Sequence, residues 1–187
     1  MLSEQNKFLQ YYISNTFKYL INSSIIKDDN LYIHINKNNF LILIKILKRH
    51  TFFNFNSLMD VWGLDFPKKK KRFSVNYLLM SSSNVFRIIA KANNLVLEHH
   101  SIANIFPSAG WLEREVWDMF GIFFIENKDL RRILTDYGFE GFPLRKDFPL
   151  SGFSEIRYDY EQKRIVYDPI EFIQEYRHFY FQKSWIK

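Results

Sequence analysis

The sequence predicts an α+β protein: a mixed four-stranded sheet with helices on one face, then a short helix and a long extended C-terminal strap. Three observations carry this prediction. Period-two apolar alternation and helical spacing take turns along the first half of the chain, the pattern of strands interleaved with helices. A single further helical pattern, AGWLEREVWDMF, stops at Gly121. Five of the six glycines then fall between Gly110 and Gly152, with Pro107, Pro143 and Pro149 in or beside that stretch, so the backbone there needs freedom for turns and close approaches.

The elements follow in order. Residues from about Glu4 to Ile21 read as a helix whose apolar side is Phe8, Tyr11, Tyr12, Thr16 and Tyr19. LYIHI alternates Leu31, Ile33 and Ile35 with Tyr32 and His34 and reads as a strand. Asn36 is placed to cap a helix from Lys37 to Arg49, with Phe40, Leu41, Ile44 and Leu47 facing inward. Leu58 to Phe66 reads as a strand, PKKKKR as a charged turn, and Phe73, Val75, Tyr77 and Leu79 as one side of the next strand. VFRIIAKA is the fourth strand. The order α-β-α-β-β-β suits a mixed sheet.

After Asn94 the character changes. Ser108 is placed to cap the helix Ala109 to Phe120, whose apolar face is Leu112, Val116 and Met119 or Phe120. Beyond Leu134 periodicity is lost for a run too rich in Tyr, Phe and Leu to be disordered. Phe142 and Phe148 each precede a proline, which favours extended geometry. The end, from Ile165, has an Asp168–Pro169 turn and an aromatic tail. The expected division is 1–94 as an N-terminal α+β domain, 95–121 as connector and motif helix, and 122–187 as an extended partner-binding segment.

Composition narrows the function. With no cysteine among 187 residues, thiolate zinc sites, disulfides and thiolate-held clusters are excluded. The five histidines lack ligand spacing, and no glycine pattern fits a nucleotide loop. His99 and His100 are adjacent and on a strand face opposite ways. NFLILIKILKR, broken by Lys45, is too short to span a bilayer. The net charge of +6 is unevenly spread: Glu113 to Asp159 holds ten acids and seven Lys/Arg, the remainder ten acids and nineteen Lys/Arg. The motif stretch is therefore mildly acidic and unsuited to phosphate. Lys68 to Arg72 reads as a solvated hairpin tip. An aromatic load of 20 Phe, 11 Tyr and 4 Trp exceeds what a small core houses easily; an AT-rich coding sequence and a partner-facing surface each account for part of it. The acids Glu113, Glu115, Asp118, Asp136, Asp147 and Asp159 have bases within a few residues, so ion pairing explains them better than general acid–base chemistry.

From Trp111 onward the motifs are specific. Glu113 to Gly121 (EREVWDMFG), Asp129 to Gly141 (DLRRILTDYGFEG), Pro143 to Gly152 (PLRKDFPLSG) and the EIRYD ending at Asp159 resemble the family of the 30-kilodalton core subunit of respiratory complex I. The resemblance implies a cofactor-free, non-catalytic subunit of the quinone module, on the matrix side of the mitochondrial inner membrane. It implies packing against the 49-kilodalton quinone-site subunit and neighbouring peripheral-arm subunits, while NADH, FMN, iron–sulfur clusters and ubiquinone belong to the complex. It also implies a partner interface of Glu113, Arg114, Glu115, Trp117, Asp118, Arg131, Arg132, Asp136, Tyr137, Phe139, Arg145, Lys146, Asp147, Phe148 and Arg157. Arg114, Arg131, Arg132 and Arg145 are expected to pair with acids inside the chain or across the interface. Neither catalytic nor metal-binding residues are expected, nor a nucleic-acid partner or a transmembrane segment. The polar start, MLSEQNKFLQYYISN, is neither a signal nor an Arg-rich transit peptide, which with the AT-type composition predicts an organelle-encoded chain. Two departures stand out: Asn127–Lys128 and Phe142 occupy positions where the family usually has His-Pro and His, so a binding role for those histidines does not transfer.

Overall fold

Helix α1 (Leu2–Thr16) leads into β1 (Ile21–Lys27) and β2 (Asn30–Ile35), then α2 (Lys37–Arg49), β3 (Ser57–Asp65), β4 (Phe73–Met80) and β5 (Arg87–Asn94). The computed structural model describes residues 2–94, 97–172, 174 and 177. The sheet has five strands in the order β1-β2-β5-β4-β3, parallel between β2 and β5 and antiparallel elsewhere. The expected four strands are all present. The fifth, β1, went unseen because INSSIIK carries no apolar alternation; as an edge strand it has little to bury. Its signal was the turn. Asp28 and Asp29 both have positive φ, 49° and 57°, the two-residue geometry that matches strand twist in a hairpin.

The helix face of the sheet holds the core. Leu31, Ile33 and Ile35 of β2, Ile88, Ala90 and Ala92 of β5, and Val75, Tyr77 and Leu79 of β4 are buried with Phe40, Leu43, Ile44 and Leu47 of α2. Leu43 takes the inward place expected of Leu41, which is half-buried. Asn36 does sit before α2 but makes no side-chain cap; its Oδ1 accepts instead from Asn22 Nδ2 at 2.7 Å, tying β1 to β2. Helix α1 ends five residues before Ile21 because the Leu20 and Ile21 amides close a turn on Phe17 O. Its inward face is Leu9 and Ile13, continued by Phe17, not the aromatic stripe. The helix carries two apolar stripes, and the aliphatic one fits the sheet; Phe8, Tyr11 and Tyr12 lie on the exposed side, where Tyr12 stacks on Phe52 at 5.4 Å.

Strand β6 (Glu98–His100), helix α3 (Ala109–Phe120) and strand β7 (Phe123–Ile125) form a β-α-β unit, with His99 in register with Phe124. His99 is buried and His100 half-buried, on opposite sides as expected. Helix α3 crosses β3 at Gly63, where a Cβ would stand 2.6 Å from the Phe120 ring. Ser108 precedes α3 in helical geometry and makes no side-chain cap, whereas Gly121 ends it at φ 72°, the left-handed stop.

The chain divides into two compact units, residues 1–148 and 149–187, at a different place from the three segments expected at 1–94, 95–121 and 122–187. Residues 122–148 fold back on α3 instead of extending away. The second unit contains an antiparallel hairpin of β8 (Ser154–Asp159) and β9 (Arg164–Pro169). Asp168 and Pro169 therefore end a strand, paired with Glu155 and Ser154, instead of forming a turn. Most of the aromatic tail lies outside the described residues. Among the described residues no helix is long and apolar enough to cross a membrane.

Candidate interaction surface

Helix α3 presents two acids inward, Glu113 and Asp118, both with no exposed surface. Asp118 organises the irregular segment that follows. Its Oδ2 accepts the amides of Ile133, Leu134 and Thr135 at 3.1, 2.8 and 3.0 Å, and its Oδ1 accepts the Thr135 hydroxyl at 2.6 Å and Arg132 Nη1 at 3.0 Å. Burial pushes this carboxyl up. The hydrogen bonds from the Thr135 hydroxyl and the three amides outweigh burial and pull it down to about 2. Arg132 in turn donates to Gly141 O at 3.0 Å. A segment without regular secondary structure is thus fixed by one carboxylate and one guanidinium.

Glu113, five residues earlier, holds the β6 and β7 side of the helix. Its oxygens accept from Ser101 Oγ at 2.6 Å, Ile102 N at 2.8 Å and Asn127 Nδ2 at 2.8 Å. Every donor is neutral, so burial dominates and the carboxyl is pushed up, with the three hydrogen bonds only partly opposing it. Asn127 is one of the two departures from the family pattern, and its amide anchors this buried acid.

A second lock joins the β3–β4 hairpin to the same segment. Arg72 Nε and Nη2 bind Asp65 at 2.7 and 2.8 Å, Nη2 also reaches Asp147 at 2.9 Å, and Asp65 accepts the Lys146 amide at 2.8 Å. The paired Arg72 guanidinium holds Asp65 below its ordinary range. Among the described residues Arg145 pairs with no acid; its Nε donates to Phe120 O at 2.6 Å. Its guanidinium lies 4.3 Å from the Phe142 ring centre, and that of Arg132 lies 5.2 Å from it. Phe142 is therefore held between two cations, where an aromatic face is favourable. A Cβ at Gly121 would stand 2.7 Å from this ring, a second reason for glycine there.

The expected interface residues separate into three groups. Glu113 and Asp118 are internal and bind their own chain. Arg114, Trp117, Arg132, Phe139, Arg145 and Phe148 are half-buried; Arg114 donates to the carbonyls of Arg131 and Arg132 and lies 5.1 Å from the Trp111 ring. Glu115, Arg131, Asp136, Tyr137, Lys146 and Asp147 are exposed, as is Arg157, which pairs with Asp168 within the hairpin. Arg131 pairs with Asp129 at 2.6 Å. A concavity of about 680 Å³ lies among Trp111, Arg114, Arg131, Arg132, Asp136 and Tyr137. Neither buried acid lines it, and among the described residues no three His, Asp or Glu groups converge on a metal site.

Sequence reasoning missed Arg72, Asp65, Ser101 and Thr135. Asp65 was signalled by its parity with Val61 and Gly63 on an inward strand face. Ser101 and Thr135 carried no local signal, since their role depends on α3 packing beside them.

Residues 33–154 match the family described as respiratory-chain NADH dehydrogenase, 30 Kd subunit. Over 186 residues the chain is 46% identical to NADH-ubiquinone oxidoreductase subunit 9 of Reclinomonas americana, spanning 97% of this chain and 91% of that one. Over 144 residues it is 54% identical to NADH dehydrogenase (ubiquinone) iron-sulfur protein 3 of Arabidopsis thaliana, 76% of each chain. That relative's name speaks of iron and sulfur, but a chain without cysteine does not fit thiolate ligation of a cluster. Two solved structures share the fold: the membrane-bound sulfane sulfur reductase, an archaeal respiratory membrane complex (TM-score 0.66, 22% identity, 78% of this chain and 86% of that one), and the trypsin-resistant fragment of Nqo5 (TM-score 0.54, 23% identity, 70% and 100%). With the family pattern matched across most of its length and its motif residues locked around α3, the chain belongs to the 30-kilodalton subunit family of the respiratory-chain NADH dehydrogenase.

Proposed function

We propose that this chain is a non-catalytic core subunit of the quinone module of mitochondrial complex I. It braces the 49-kilodalton quinone-site subunit during NADH-to-ubiquinone electron transfer coupled to proton pumping. It sits on the matrix side of the inner membrane, is encoded in the organelle, and leaves NADH, FMN, the clusters and ubiquinone to other subunits. One observation carries this reading: of the 22 large apolar side chains exposed among the described residues, thirteen lie between Trp111 and Phe172, five in the first unit and eight in the second. Apolar exposure on that scale marks a protein contact. The hairpin contributes most clearly. Ile156 faces Tyr167 and Tyr158 faces Ile165 across its strands, all at least half exposed, while Arg157 and Asp168 occupy the other side. A lone two-stranded hairpin is marginal in water, so a neighbour on its apolar side stabilises it.

An affinity-tagged copy recovered in mild detergent is expected to bring down NADH:ubiquinone reductase with its iron–sulfur flavoproteins. Arg145→Ala frees Phe120 O and one side of Phe142, and is expected to lower the amount of assembled complex while turnover per assembled complex is unchanged. Normal assembly with specific loss of quinone reduction overturns the scaffolding role.

A further inference from the structure

The sheet has a second face, and none of the three helices lies on it. Across its middle run His34 of β2, Lys91 of β5 and Asn76 of β4, consecutive partners in register. Their neighbours on each strand, Ile33 and Ile35, Ala90 and Ala92, Val75 and Tyr77, are buried in the core, so by the period of the pleat these three point the other way. Asn76 is 2% exposed, and its Nδ2 has no hydrogen-bond partner. Such a group is costly when left unmet.

Two ammonium groups join it. Lys91 Nζ lies 5.5 Å and Lys69 Nζ 4.2 Å from the centre of one ring, Phe66. Two like charges share a single aromatic ring, and among the described residues neither has an ion-pair partner. Burial and the charge of Lys69 lower the affinity of Lys91 for its proton, and burial and Lys91 do the same to His34. The acid on this face, Asp60, sits one row away in register with Leu78 and accepts the amide of Val61. At the other side of the same hairpin tip the pattern is complete, where Arg72 holds both Asp65 and Asp147. Here two cations stand at one ring with no carboxylate paired to them among the described residues.

We propose that this face receives a protein segment from a neighbouring subunit, and that an Asp or Glu of that segment pairs with Lys69 and Lys91 beside the Phe66 ring. This rests on the subunit reading above. The site supplies two ammoniums beside one aromatic ring, a charge that matches a carboxylate. Lys91 is half-buried and Lys69 exposed, so the contact to Lys91 is the stronger of the two.

The test is amine acetylation and carbodiimide coupling of the purified, assembled complex, read by mass spectrometry beside the free full-length chain. Acetylation of Lys91 and Lys69 is expected to slow about tenfold on assembly, and carbodiimide to join one of them to an Asp or Glu of another subunit. Lys69→Met with Lys91→Met is expected to abolish that cross-link while the chain stays in the complex. If both lysines acetylate in the complex as fast as in the free chain, the inference fails. It fails equally if they couple to a second copy of this chain, or if their protection disappears on delipidation, which would assign the site to lipid phosphate. Absence of the chain from the complex overturns the subunit reading instead.

Discussion

Helix α3 buries one carboxylate before its middle and one in its last turn, and they solve the same problem in opposite ways. Glu113 is surrounded by a hydroxyl and two amide-type donors, Asp118 by a guanidinium, a hydroxyl and three backbone amides. Both have no exposed surface. Burial therefore does not decide the charge; the number and kind of donors do. Glu113 is pushed toward its protonated form and Asp118 away from it. Asp118 uses its charge to organise a segment without secondary structure, whereas Glu113 fastens strands that are already paired.

The largest test of this contrast is Asp118→Ala. It strands a guanidinium and three amides at once, and breaking such a buried pair costs about 3–5 kcal/mol. Urea unfolding is expected to report that loss, with faster proteolysis near residues 131–140; a loss below about 1 kcal/mol contradicts the role given to Asp118. The pH dependence has a definite sign. The folded value of about 2 lies below the ordinary 3.8, so this carboxylate's contribution is present above the ordinary value and lost as pH falls through the folded one. It amounts to about 2 kcal/mol, and the variant should lack that acid-linked loss.

Glu113→Gln should be milder. One amide N–H must then meet a donor that an oxygen satisfied before, a loss of about 1 kcal/mol. Here the linkage runs the other way. The folded value lies above the ordinary 4.5, so Glu113 stabilises most below the ordinary value and loses that contribution as pH rises through the folded one. Glutamine does not titrate, so the gap between variant and parent should narrow from mildly acidic to neutral pH. A widening gap in paired unfolding curves would show that Glu113 needs its charge.

The smallest effect is expected at Arg131→Ala. Its pair with Asp129 is 77% and 50% exposed, and solvent screening leaves such a pair little share of stability. Circular dichroism melts should barely move. Reduced recovery of the complex with an unchanged melt would then report a partner contact, while unchanged recovery would remove Arg131 from the interface.

Much of the sheet was legible because its strands have two different sides. Leu31, Ile33 and Ile35 announced β2, and the inward stripe of α2 needed only one exchange, Leu43 for Leu41. Gly121 was readable as a helix stop because left-handed geometry is local. The missing strand β1 and the hairpin β8–β9 bury little, so their residues carry little pattern. In α1 the pattern was ambiguous, since aromatic and aliphatic stripes share one helix and only docking on the sheet selects between them.

The expected interface residues were legible only as a set, not by the way each one faces. Glu113 and Asp118 stood among its expected members, yet both face inward, and Asp65 and Arg72 lay more than 40 positions before the motifs they help to hold. By itself the sequence determined the alternation of strands and helices, the absence of thiolate chemistry and membership of the family, because periodicity, composition and motif identity are local properties of the chain. Tertiary structure alone decided which acids stay charged, which cations remain unmatched and which way each stripe faces. Those outcomes depend on donors brought together from distant positions, and on the water their packing excludes.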